Sequence, residues 1–195
     1  MKPGTYRIVN LVSGTVITET ANGAVGWQLT CGKHQQWFVQ RSGDGYRFQN
    51  ATSGVYLAVA STDDNNNQLY CGAYPTTWML ITNPEYTGKD VYGIMMGDTD
   101  RVLDLNSWGG KADGTKITAF SKSEFKGGPK CRMWRFERIN DETGEGPTEA
   151  QLALTRAEKI IQTQAAEIEF LRKLLLDSRQ VGLGSISATI KQRTF

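Results

Sequence analysis

The chain has 195 residues, with 22 Lys and Arg against 20 Asp and Glu, a formal net charge of +2 and a pI of about 8.4. This near balance, without basic residues interleaved with aromatic ones, argues against nucleic acid or an anionic membrane surface as a partner. The sequence contains neither an apolar leader segment nor a stretch long enough to span a bilayer. We therefore expect a cytoplasmic protein without a membrane span.

Two stretches near the start of the chain repeat one phrase at an offset of 40 residues (46 − 6). Residues Tyr6–Gly14 read YRIVNLVSG and residues Tyr46–Gly54 read YRFQNATSG, so Tyr, Arg, Asn, Ser and Gly recur at one spacing. A weaker copy begins at Tyr92. An internal repeat of this length predicts a fold built from similar units.

Within the first unit, short apolar or β-branched runs alternate with turn residues. We predict strands over Tyr6–Asn10, Thr15–Thr18, Trp27–Thr30 and Gln36–Val39, with Gly43–Gly45 ending the unit. Four strands in about 40 residues is the spacing of an all-β fold.

Each unit closes on a tryptophan within an apolar strand: Trp37, Trp78 and Trp134. Their separations are 41 and 56 residues (78 − 37 and 134 − 78), and we interpret residues 122–129 of the longer third unit as an inserted loop. We predict that the three indoles are buried in the core. Three such units around one axis predict a closed β structure without long exposed edges.

This arrangement resembles the β-trefoil of ricin-B-type lectins, and the opening phrase is similar to that of the mushroom members. The family's Gln-x-Trp motif is present as Gln35-Gln36-Trp37 and is replaced by Thr76-Thr77-Trp78 and Arg132-Met133-Trp134. The resemblance covers about residues 3–140. It implies an all-β domain over residues 1–139, a β-trefoil of three four-stranded repeats, that binds sugar without being an enzyme and without a cofactor.

The resemblance also implies an Asp at the end of the second strand of a unit, an aromatic residue in the third and an Asn before Gln-x-Trp. The Asp position falls on Thr18, Ala58 and Asp104, so only the third unit has the acid. Its Asn position holds Cys131. The third unit is therefore the best candidate for a carbohydrate-binding site, with these residues: Asp104, Asn106, Trp108 and Phe120.

Two of these residues have alternative interpretations, and one further residue is a candidate. Trp108 lies in a glycine-containing loop, where packing in the core competes with a ligand role. Trp27, without an evident counterpart in the other repeats, is a second candidate for a ligand contact. Asp104 alternatively caps a turn through its own backbone.

The sequence gives little support to catalysis or metal binding. The one histidine, His34, lies three residues after Cys31, but no third group that would orient such a pair is apparent. The three cysteines are odd in number and at no metal spacing. We interpret Cys31 and Cys71 as small buried side chains in a reduced protein, with no bound metal.

After Ile139 the composition changes, and we interpret residues 140–147 as a polar linker and 148–180 as a helix. Apolar residues follow a seven-residue repeat there. The a positions are Leu154, Ile161, Ile168 and Leu175, and the d positions are Ala157, Gln164, Leu171 and Ser178. This pattern predicts a coiled-coil-like α-helical extension that forms a homo-oligomer, with a single helix packed on the trefoil as the alternative. Residues 181–195 are a tail, or a strand added to a partner's sheet.

We therefore predict a lectin that recognises glycans and gains avidity through its helix, with defence as a role that the mushroom resemblance implies. The competing hypothesis is a β-trefoil protease inhibitor, which the lost Asp positions favour. A third hypothesis is a protein-binding scaffold. One fold hosts many functions, so the site has to decide among them.

Overall fold

The computed structural model describes residues 1–59, 67–121, 130–146 and 149–191, with the side chains of the C-terminal helix described over residues 153–176. The chain divides into two compact units, Met1–Gly144 and Glu145–Phe195. The predicted inserted loop at 122–129 lies outside the described residues, as do residues 192–195 of the predicted tail.

In the described part of the first unit there are twelve strands, four from each sequence repeat. They are β1 Gly4–Asn10, β2 Val16–Thr20, β3 Gly23–Trp27, β4 Trp37–Ser42, β5 Gly45–Asn50, β6 Tyr56–Val59, β7 Asn67–Gly72, β8 Trp78–Thr82, β9 Val91–Met96, β10 Arg101–Leu105, β11 Thr115–Ser121 and β12 Met133–Asn140.

Six of the strands form a closed antiparallel barrel. The pairs run β1–β12, β12–β9, β9–β8, β8–β5, β5–β4 and β4–β1, so every barrel strand has two neighbours. Because the barrel is closed, none of its strands has an exposed edge, as the three-unit repeat predicted.

The other six strands form three hairpins, β2–β3, β6–β7 and β10–β11. Each continues from the end of a barrel strand, and β11 pairs with both β3 and β7, so the hairpins join one another. This confirms the predicted β-trefoil. The third predicted strand is displaced, since β3 ends at Trp27. Beyond it, the backbone N–H groups of Gln28 and Thr30 donate to side chains, those of Asp113 and Gln35, rather than to a strand.

The core contains the three repeat tryptophans, all completely buried as predicted. Each indole Nε1 donates to a backbone carbonyl on the second strand of its own unit. The acceptors are Ile17 for Trp37 at 2.9 Å, Leu57 for Trp78 at 3.1 Å and Leu103 for Trp134 at 3.2 Å. The three equivalent bonds tie the fourth strand of each repeat to its second strand.

The repeated Asn has a structural role that explains the first two copies of the phrase. The Oδ1 atoms of Asn10 and Asn50 accept backbone N–H groups two and three residues later, which holds the turn that follows β1 or β5. Gly14 and Gly54 complete these turns at φ 74° and 73°. Met96 has the equivalent pairing in the third unit, which is why that copy of the phrase is weak.

The trefoil unit extends to Gly144, five residues beyond the predicted boundary at Ile139 (144 − 139). Residues 141–144 are held by polar contacts, and Gly144 also lies against the ring of Phe38. Thr5 Oγ1 donates to the carbonyl of Glu142 at 2.7 Å, and Gln40 Nε2 donates to that of Thr143 at 2.6 Å.

The second unit contains one α-helix, α1, Glu149–Lys191, which extends past residue 180 into the segment predicted as a tail. Its four apolar a positions are between 51% and 64% exposed. Within the described residues, no helix is both long and apolar enough to cross a membrane.

Candidate functional site

The outer face of hairpin β10–β11 carries the acid that the sequence singled out. Asp104 pairs with Thr118 across the hairpin. Successive side chains of a strand alternate between its faces, so Leu103 and Leu105 are buried in the core while Asp104 lies on the opposite side.

Asp104 forms an ion pair with Arg132, which ends the 3₁₀ turn Lys130–Arg132 just before β12. Arg132 Nε lies 2.6 Å from Asp104 Oδ2, and the two side chains are only 7% and 14% exposed. The guanidinium carbon lies 4.5 Å from the centroid of the Phe120 ring. Aspartate, arginine and phenylalanine thus form one packed group, in which Asp104 is an ion-pair partner rather than a turn cap.

The first sequence repeat has an uncharged version of the same contact. Gln35, equivalent to Arg132, donates through Nε2 to Thr18 Oγ1 at 3.1 Å, and Thr18 is equivalent to Asp104. Both differences between the two repeats were visible in the sequence: Asp104 stands where the first repeat has Thr18, and Arg132 stands where it has Gln35. Only the repeat geometry shows that they contact each other.

Asn106 is held against the same hairpin, since its Oδ1 accepts a hydrogen bond from Thr118 Oγ1 at 2.8 Å. Thr118 is the residue opposite Asp104, so Asn106 adjoins the packed group.

Trp108 differs from the other predicted site residues, because its side chain is 85% exposed. It lies on a left-handed backbone at φ 56°, between Ser107 at φ 57° and Gly109 at φ 85°. Gly109 fits tightly, since a Cβ there would come within 2.8 Å of Val12 Cβ and 3.4 Å of Cys131 Cβ. The left-handed region costs a bulky residue about 1–2 kcal/mol, and such strain concentrates at ligand sites.

The structure thus brings Asp104 and Phe120 together through Arg132, with Asn106 beside them. The Trp108 loop packs on the turn that carries Arg132. Among the described residues, no hydrogen bond or ring contact holds the indole of Trp108.

Comparison with known proteins gives the family. The profile described as ricin-type beta-trefoil lectin domain-like matches residues 1–70 and 33–120. The chain belongs to this family. The match indicates a non-catalytic carbohydrate-binding protein, as predicted. No curated protein matches the sequence.

Several solved structures are similar to this ricin-type domain. The Macrolepiota procera ricin B-like lectin, in complex with lactose, is 24% identical over 71% of this chain and 98% of its own, with a TM-score of 0.64. The Rhizoctonia solani agglutinin is 24% identical over 71% and 97%, with a TM-score of 0.60. A proteinase inhibitor from Coprinopsis cinerea is 13% identical over 71% and 99%, with a TM-score of 0.55. These likenesses show the fold alone.

Within the ricin-type trefoil, Trp27 does have a counterpart, contrary to the prediction. Trp27 pairs with Val16, two residues before Thr18, and Phe120 pairs with Val102, two residues before Asp104. Trp27 is therefore the first unit's equivalent of Phe120. The Asp position of this repeat holds Thr18, so no carboxylate accompanies the ring there.

The thiols of the ricin-type trefoil are free. Cys31 is exposed, not buried as predicted, and it lies outside the strands on a left-handed backbone at φ 58°. Burial raises the pKa of Cys71 to about 12 and that of Cys131 to about 11, with Glu19 and Asp104 adding to the respective effects. His34 Nε2 lies 3.2 Å from Thr30 Oγ1. Within the described residues, no cluster of His, Cys, Asp or Glu is suited to a metal ion.

Proposed function

We propose that the third unit binds glycans by stacking a sugar ring on Trp108 beside the group formed by Asp104, Arg132 and Phe120. The observation that carries this proposal is the 85% exposure of a tryptophan on strained backbone, in a chain whose three repeat tryptophans are fully buried. Folding alone gives no reason to hold a large apolar ring in solvent at that cost.

The chemistry of the surroundings suits a neutral sugar. The opposite charges of Asp104 and Arg132 compensate each other, which disfavours a strongly charged ligand. A sugar presents an apolar C–H face to an aromatic ring and hydroxyl groups to amides and carboxylates. The ring of Phe120 packs against the guanidinium of Arg132 and so helps to keep the ion pair in one geometry.

Trp108→Ala is expected to weaken glycan binding about tenfold or more, because the ring supplies most of the contact area and hot-spot aromatics cost about 2 kcal/mol when truncated. The measurement is a glycan array followed by calorimetry with the best ligand. Tyr74→Ala is the matched control, since Tyr74 is 84% exposed but lies in the second sequence repeat, away from the proposed site.

Equal binding of glycans by the Trp108→Ala and wild-type proteins would contradict the proposed site. Silence of the wild-type protein across a broad array would instead favour the protease-inhibitor hypothesis, which inhibition assays against serine and cysteine proteases would then test.

The helix supports a proposal of multivalency. Seven of its exposed large apolar side chains lie at the predicted a, d and g positions: Leu154, Ile160, Ile161, Ile168, Leu171, Leu174 and Leu175. Two more, Phe170 and Leu176, lie at c and b positions beside this stripe. An exposed apolar stripe of this extent marks an association surface. The g residue Glu167 and the e residue Arg172 are spaced for a pair between parallel helices.

A helix-mediated oligomer gives a shallow sugar site a physical gain. Single sites of this kind are weak, and linking copies raises the avidity about 10²–10⁴-fold without a new contact. A role in defence stays a prediction, as does the cytoplasmic location.

Ile168→Lys is expected to dissociate the oligomer, because it places a charge at a buried a position of the coil. Light scattering after size-exclusion chromatography measures the mass. Ala166→Lys introduces the same residue at the exposed f position and is expected to leave the oligomer intact. A monomeric wild-type protein, or an Ile168→Lys protein of unchanged mass, would contradict the proposal.

A further inference from the structure

The connection between β8 and β9 is longer than its counterpart between the first two repeats. Only Gly43 and Asp44 separate β4 from β5, whereas the connection from β8 to β9 spans residues 83–90. The trefoil closes at the shorter junction without extra residues, so closing the barrel does not require this longer connection.

Backbone and capping hydrogen bonds hold the longer connection in one shape. Asn83 Oδ1 accepts the N–H of Glu85 at 3.0 Å and caps the 3₁₀ turn Pro84–Tyr86. The N–H of Lys89 donates to the carbonyl of Tyr86 at 3.0 Å. At the end of the connection, the carbonyl of Asp90 accepts the N–H of the buried Phe136 at 2.9 Å. The loop is therefore formed before any ligand arrives.

This loop encloses a cavity of about 200 Å³ against the start of β9. Its lining includes Thr82, Asn83, Tyr86, Asp90 and Tyr92. Pockets for drug-sized ligands measure about 300–1,000 Å³, so this one fits a single small ring.

Several polar groups of the lining have unused hydrogen-bonding capacity. The hydroxyl oxygen of Tyr86 is buried and makes no hydrogen bond of normal geometry among the described residues, although the side chains of Glu85 and Lys130 lie near it. In the same part of the chain, Nδ2 of Asn83 donates to no group. The carboxylate of Asp90 accepts only a long bond, 3.5 Å, from the hydroxyl of Tyr92. A buried hydroxyl that lacks a well-formed hydrogen bond is unfavourable, and a polar ligand that bonded to it would recover that cost.

The backbone of Asp90 is also strained, because its φ of 50° lies in the left-handed region. The ring of Tyr92 is fixed from behind by an edge contact with Phe136, with centroids 5.8 Å apart. Lys89 Nζ lies 5.9 Å from the centroid of Tyr86. A carboxylate on left-handed backbone and two tyrosine rings therefore line one small cavity.

We infer that this cavity is a second carbohydrate site, which takes the terminal ring of a neutral glycan. Ring hydroxyls would donate to Asp90 and accept from Asn83 and Tyr86, a carboxylate, amide and hydroxyl set that suits a polyol. The Asp90 carboxylate disfavours an anionic ligand. The inference shares its ligand class with the proposed function, but it needs neither Trp108 nor Asp104.

The test is a two-dimensional ¹H–¹⁵N titration of the full-length protein with the methyl glycosides of galactose, mannose and N-acetylglucosamine. At least one is expected to shift the amide signals of Gly88 and Asp90 in a saturable manner. No shift at either amide with any of the three at millimolar concentration would overturn the inference.

Two conservative variants test the polar contacts. Asp90→Asn removes the charge but tolerates the left-handed backbone, and Tyr86→Phe removes only the hydroxyl; each is expected to weaken the titration at Gly88 at least tenfold. Asp98→Asn is the matched control, because Asp98 is exposed and left-handed at φ 57° in another loop. Unchanged affinity in both variants would contradict the proposed contacts.

The two sites are separable in the same spectra. Trp108→Ala is expected to abolish shifts at Gly110, beside the third-unit loop, while those at Gly88 persist. If the variant also abolished the shifts at Gly88, the second site would not be independent and the inference would fail. Shifts at Gly88 with none at Gly110 in the wild-type protein would instead count against the third-unit site alone.

Discussion

Trp134→Ala is expected to lower the free energy of unfolding by about 3–5 kcal/mol, the usual cost of truncating a large buried aromatic side chain. The side chain is completely buried, and its Nε1 satisfies the carbonyl of Leu103 at 3.2 Å. Truncation therefore opens a cavity and leaves a buried acceptor without its partner. Urea denaturation followed by circular dichroism measures the loss.

Trp108→Ala is the comparison that gives this result its meaning. Because Trp108 is 85% exposed, the same substitution is expected to change stability by no more than about 0.5 kcal/mol. Similar losses from the two variants would show that Trp108 belongs to the core, and the binding site proposed around it would be lost as well.

Arg132→Met is expected to cost about 3–5 kcal/mol, because it leaves the carboxylate of Asp104 in a largely buried position without its partner. Arg132→Gln is expected to cost less, because an amide at this position can still donate to Asp104. Gln35 makes the equivalent contact with Thr18 at 3.1 Å in the first unit. At neutral pH, the denaturant midpoint is expected to be highest for the wild-type protein, lower for Arg132→Gln and lowest for Arg132→Met.

The reverse order for the two variants would contradict this account of the ion pair. It would mean that apolar contact with the ring of Phe120, rather than donation to Asp104, holds residue 132 in place.

Much of the fold follows from features that are local in the sequence. The repeated Asn and Gly residues build turns within a few residues of themselves, and the closing tryptophans are recognisable as apolar residues in apolar strands. Both kinds of signal depend on near neighbours in the chain, so the trefoil and its core were predictable.

What escaped prediction depends on residues that meet across the fold. The equivalence of Trp27 and Phe120 is a matter of strand register, which a one-residue shift would change. Arg132 and Asp104 are 28 residues apart, with the segment 122–129 between them. The end of the trefoil at Gly144 depends on hydrogen bonds to backbone carbonyls, which leave no apolar pattern to read.

The pairing of β1 with β12 has a consequence for synthesis. Ile8 pairs with Phe136, which is 128 residues further along the chain (136 − 8), so the first strand emerges from the ribosome long before its partner. Contacts of such separation slow folding and leave strand edges exposed meanwhile. The helix is translated only after β12. Each chain can therefore close its own barrel before the apolar stripe that would draw it to other copies has been made.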